Sequence, residues 1–102
     1  MTKAEKLTNE TRAIMKFTGD VNPFSRPYNN YDEVDRIITK IQDLGYTFTL
    51  ITTNNSKGRR HVVGFNGINP PFDNIPIISD KTRLDAMYEL VLKFIKEKDE
   101  QR

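Results

Sequence analysis

Across a single glycine, Gly45, the hydrophobic period of this chain switches from that of a helix to that of a strand, and few folds accommodate such a switch. Before it, Val34, Ile37, Ile38, Ile41 and Leu44 recur at spacings of three and four, on one face of a helix from about Tyr31 to Leu44. Asn30 with Glu33 resembles a capping box at its start, and Gly45 supplies the left-handed residue that ends it. After it, Tyr46, Phe48, Leu50 and Thr52 point one way, while Thr47, Thr49, Ile51 and Thr53 point the other. One greasy face and one threonine-rich face predict an antiparallel sheet covered on a single side.

The rest of the chain follows from that pairing. The run 54–58 reads as a hairpin turn, because Asn and Gly accept positive φ, and 60–65 reads as the return strand. The run 66–74 is a loop by composition, and 75–79 is a short third strand that Pro76 confines to an edge. Ser79 or Asp80 is expected to cap a final helix with an apolar stripe of Leu84, Met87, Tyr88, Val91, Phe94 and Ile95. Residues 1–27 read as an arm and linker, either mobile or with a short helix at 3–16 on Leu7, Ile14 and Met15. Turn formers fill 18–30, with Phe24 and Tyr28 placed to pin the linker to the core. Residues 99–102 read as a frayed tail. The expected fold is α+β: a three-stranded antiparallel sheet and two amphipathic helices, in the order α-β-β-(β)-α, as a single domain over 28–98.

Composition narrows the function. No apolar run reaches the roughly 20 residues of a membrane span, and the start lacks a signal-peptide core. Together with the absence of Cys, this fits a cytoplasmic protein. The net charge of +2, from 16 basic and 14 acidic residues, is too small for a dedicated nonspecific nucleic-acid binder. Catalysis finds little to work with: His61 is the lone histidine, and no serine sits in a nucleophile motif. Asp32, Glu33 and Asp35 suit the positive end of a helix dipole better than acid–base work. No metal-ligand spacing, glycine-rich phosphate loop or other cofactor motif occurs, so the chain reads as a binding protein without cofactor or metal.

With this element order, three segments carry a resemblance. Tyr-Asn-Asn-Tyr-Asp at 28–32 leads into the helix that ends in Leu44, Gly45 and Tyr46; the strand His-Val-Val-Gly-Phe follows at 61–65; and the last helix opens with Thr-Arg-Leu-Asp-Ala at 82–86. Over roughly residues 28–95 the chain resembles the small phage and prophage proteins of the phage ABA sandwich domain type. The resemblance implies a phage accessory protein in the host cytoplasm with no catalytic residues, for instance an inhibitor of a bacterial defence system. The layered family name hints that both sheet faces are covered, whereas the alternation of Tyr46 to Thr53 predicts one.

The binding residues expected from the sequence are Lys57, Arg59, Arg60 and His61 at the hairpin tip, Asn66 and Phe72 in the following loop, and Arg83 opening the last helix. Three cations beside Asn54, Asn55 and Ser56 suit a phosphate-bearing ligand or a host protein, although charged hairpin tips are also routine solubilising features. Phe72 is either an exposed stacking contact or, more commonly for such a residue, core filler. The alternative is a nucleic-acid module, because the order helix-strand-strand-strand-helix is that of double-stranded RNA-binding domains. Lys81 and Arg83 occupy the corresponding region, though Asp80 and Asp85 oppose phosphate. A second copy of the chain could pair through the threonine face or the edge strand at Ile75.

Overall fold

A computed structural model describes residues 2–19, 30–70, 72–79 and 81–100, without the side chains of 3–8 and 99–100. Helices α1 (Lys3–Thr18) and α2 (Tyr31–Asp43) precede strands β1 (Tyr46–Asn55), β2 (Gly58–Gly67) and β3 (Asn74–Ser79), and α3 (Arg83–Glu100) closes the chain. The strands form one antiparallel sheet in the order β1-β2-β3. The α+β fold read from the hydrophobic periods is the one observed. Among the described residues, no helix is long and apolar enough to cross a membrane.

Register decides which side chains meet. Phe48 lies opposite Phe65 and Leu50 opposite Val63; on the other side of β2, Phe65 faces Ile75 and Val63 faces Ile77. These residues look toward the helices, where α3 lies on β2 and β3 and α2 lies beside it on β1. Val34, Ile37, Ile38 and Ile41 of α2 and Leu90, Val91 and Phe94 of α3 meet them in one closed core. The opposite face carries Thr47, Thr49, Ile51, Val62, Gly64 and Ile78, and among the described residues no helix covers it. Among the described residues, the helices lie on the face that the alternation along β1 marks as apolar.

Several boundaries differ from expectation. The N-terminal segment is a helix docked on α3: Ile14 is fully buried, and the Phe17 and Phe94 rings meet edge-on at 6.0 Å. Tyr88 Oη donates to Glu10 Oε2 at 3.1 Å, and burial, followed by the Glu10 carboxylate, pushes that hydroxyl well above the usual tyrosine range. The side chain of Leu7, and the linker with Phe24 and Tyr28, lie outside the described residues. The hairpin turn is shorter than 54–58. Asn54, Asn55 and Gly58 are in the ladder, and Lys57 N–H closes the turn on Asn55 Oδ1 at 2.8 Å. Ser79 does not fill the expected N-cap role for α3, and Asp80 lies outside the described residues. Thr82 fills that role: its Oγ1 accepts from Asp85 N–H at 3.1 Å, while Ser79 Oγ accepts from Lys81 N–H. Helix α3 also runs on to Glu100, past the expected start of the tail, and buries Ala86 and Leu90 beyond the expected stripe because it is packed on two sides.

Candidate functional site: a basic cleft at the hairpin end

An antiparallel hairpin followed by an edge strand returns the chain to the hairpin tip, so α3 begins there. Helix α2 runs the opposite way into β1 and also begins there. Three element starts thus converge, and between them lies a cleft of about 380 Å³ lined by Tyr31, Arg59, His61, Lys81, Thr82 and Arg83. Its size falls within the range of small-molecule sites. Among the described residues that line it, none is acidic.

Each side chain has a local reason to be there. Tyr31 is the first residue of α2, after the Asn30 cap whose Oδ1 accepts from Glu33 N–H at 3.0 Å, and the residue is 52% exposed. Arg59 and His61 share the helix-facing side of β2 because they are two residues apart. Arg59 is steadied by Nε donating to Asn54 Oδ1 at 3.2 Å across the hairpin. His61 is only 4% exposed and forms the inner wall. A 3.0 Å hydrogen bond ties its Nδ1 to Thr52 Oγ1. Lys81 follows the Ser79 turn, with Nζ 3.2 Å from Glu89 Oε1 in an exposed ion pair. Arg83 opens α3, whose first turn presents amide groups and the positive end of the helix dipole. Guanidinium forks, an ammonium, amide donors and a phenol ring are the groups that hold a phosphate beside a planar ring. Comparison with family models, characterised proteins and solved structures finds no match for this chain.

Of the residues expected from the sequence, the cleft gathers Arg59, His61 and Arg83 and leaves the others elsewhere. The cluster of Lys57, Arg59 and Arg60 does not form one clamp: the pleat sends Arg60 to the open sheet face, and Lys57 stands in the exposed turn. Asn66 is seven residues from Arg59 along β2, roughly 23 Å away, with its carbonyl accepting from Thr47 Oγ1. Phe72 is at that far end too. It is 63% exposed with φ of 60°, which settles against core filler and also removes it from the cleft. Sequence reasoning missed Tyr31 and Thr82 as site residues. The signal for Thr82 was register, since His61 pairs with Ser79, three residues before Thr82.

Proposed function

We propose that this chain is a non-enzymatic binding protein whose cleft holds a phosphate-bearing ligand of nucleotide type. The observation that carries the reading is the convergence of Arg59, Lys81 and Arg83 with two helix starts around a hollow that no acid among the described residues lines. Tyr31 offers a ring for a base, and Thr82 and Arg83 offer the phosphate end of a helix. His61, walled in and tied to Thr52, supports holding rather than proton transfer. Taken with the resemblance to phage accessory proteins, the proposal extends to a component that withholds a signalling nucleotide from a host defence system. Thermal melts against cyclic dinucleotides, ADP-ribose-type compounds and simple nucleotides test it. Ligand at 100-fold over its Kd adds about 2.7 kcal/mol, or roughly 10 °C or more for a domain of this size. No shift with any of them removes the reading.

A second reading has an observation of its own. The core order α2-β1-β2-β3-α3, with the hairpin tip and the α3 start at one end, is the arrangement with which double-stranded RNA-binding domains touch successive grooves. Filter binding of duplex RNA at low and moderate salt decides it. Retention that falls steeply with salt supports a duplex partner, and none at low salt excludes one.

A further inference from the structure

The two edges of the sheet are built differently. Strand β3 is six residues long and carries Pro76, whose carbonyl is taken by Lys93 Nζ at 3.0 Å. It is a blunted edge. Strand β1 is ten residues long, Tyr-Thr-Phe-Thr-Leu-Ile-Thr-Thr-Asn-Asn, without a charge or a proline, and among the described residues no strand pairs with its outer side. Proline also fixes which β1 groups point outward. Pro76 has no N–H, so Gly64, opposite it, directs its backbone bonds toward Thr49 of β1. Alternation then leaves the N–H and C=O groups of Phe48, Leu50 and Thr52 aimed away from the sheet.

The side chains of this edge are unfinished as well. Val63 and Phe65 on the central strand and Ile75 on β3 are at most 2% exposed, whereas both Phe48 and Leu50 on β1, like Ile77 on β3, are only part-buried. On the open face, Ile51, Val62 and Ile78 form one row across the three strands, with Ile51 52% and Ile78 65% exposed.

We propose that β1 pairs antiparallel with β1 of a second copy about a two-fold axis at Ile51, joining the sheets into one of six strands. In that register Leu50 exchanges backbone bonds with the partner's Thr52, and Ile51 lies against the partner's Ile51 in a close, non-bonded pair. The aliphatic row then runs unbroken across both copies. A self-paired strand would set any charge near a like charge, and β1 has none to oppose itself. A single strand edge is a small interface, so the dimer's Kd is on the order of micromolar.

Sedimentation equilibrium from about 1 µM to about 300 µM is expected to show the mass doubling across that range. Ile51→Lys places like charges together at the axis and is expected to weaken dimerisation about tenfold or more; its exposed position leaves the monomer fold intact. Because the chain has no Cys, Ile51→Cys supplies a single thiol at the axis and is expected to give a disulfide-linked dimer on mild oxidation. Ile78→Cys, more exposed but on the blunted side, is the control and is expected to stay monomeric. A monomer at the highest concentration, an Ile51→Lys variant that dimerises as before, or equal crosslinking at Ile51 and Ile78 overturns the proposal.

Discussion

The two ends of the sheet carry similar side chains and use them in opposite ways. At the end away from the hairpin, Asp73 accepts from Lys98 Nζ at 2.6 Å and from Tyr46 Oη at 2.9 Å, and the Lys98 ammonium lies over the Tyr46 and Phe94 rings. Gly67 N–H donates to Asp73 O and Ile68 N–H to Gly45 O, so the loop between β2 and β3 is fastened to α3 and to the α2–β1 turn. The lysine there is answered by a carboxylate inside the fold. At the hairpin end, Arg59, Lys81 and Arg83 surround a cleft that no acid among the described residues lines, and only Lys81 of the three meets a carboxylate, that of Glu89, among the ion pairs described. A cation neutralised within the fold fastens a loop; on the function proposed above, Arg59 and Arg83, with no described acid lining the cleft beside them, receive an anion from outside.

The comparison breaks most visibly at Phe94. Its ring meets Phe17, Tyr46 and Phe65 at 6.0, 5.0 and 5.4 Å, which joins α1 to the fastened end of the sheet. Phe94→Ala is expected to cost about 3–5 kcal/mol in urea unfolding. At the cleft the expectation is reversed. The double change Arg59→Ala and Arg83→Ala is expected to leave stability within about 0.5 kcal/mol. In calorimetric titration, each lost charge-assisted bond is expected to weaken a phosphate ligand by about 1.5–3 kcal/mol, or roughly tenfold to a hundredfold. A double variant that binds as before makes the cleft an ordinary solvated tip.

How legible these ends were in the sequence depends on how local their causes are. The stripe of α2 and the alternation of β1 are local patterns of side-chain period, and both elements appear within a residue or two of expectation. The face on which the helices lie follows from the same alternation. The α3 cap was missed because Ser79, Asp80 and Thr82 are all good caps by type; Thr82 was selected by where β3 stops pairing with His61. The composition of the cleft was half legible for the same reason. Arg59 and His61 come together by strand period, but their separation from Arg60 needed the pleat, and their meeting with Tyr31 needed the packing of α2 beside α3. The role of α1 was illegible because its stripe is weak, and Ile14 and Phe17 gain meaning only against α3.

Glycines sharpen the contrast at a smaller scale. Gly45 has φ of 99°, and a Cβ there would sit 3.1 Å from Asn69 Nδ2 in the fastened loop. Gly58, in the hairpin, has φ of 116° and open space around it. Gly45→Ala adds crowding to a backbone cost of about 1–2 kcal/mol, while Gly58→Ala carries the backbone cost alone. Thermal unfolding is therefore expected to rank Gly45→Ala below Gly58→Ala, and the opposite order would mean that the loop gives way more easily than the hairpin.

The smallest expected effect concerns the Asp73 lock. The hydrogen bond from Lys98, then that from Tyr46, holds the Asp73 carboxyl below its ordinary 3.8, and Asp73, then Tyr46, lifts Lys98 above its ordinary 10.5. A carboxyl whose pKa is lower folded than unfolded stabilises the fold above the unfolded value, and that contribution is lost as pH falls through the folded one. The lysine works in the other direction: its contribution is complete below 10.5 and fades as pH rises through the raised value. Between those limits the lock is closed and insensitive to pH. The difference in melting temperature between the native chain and Asp73→Asn is expected to be constant from about pH 5 to pH 9 and to shrink below pH 4. Because both partners are partly solvated, the gap itself is expected to be small. A gap that persists in acid would mean that the Asp73 side chain acts through a contact other than its charge, because the backbone bond from Gly67 N–H to Asp73 O is common to both chains.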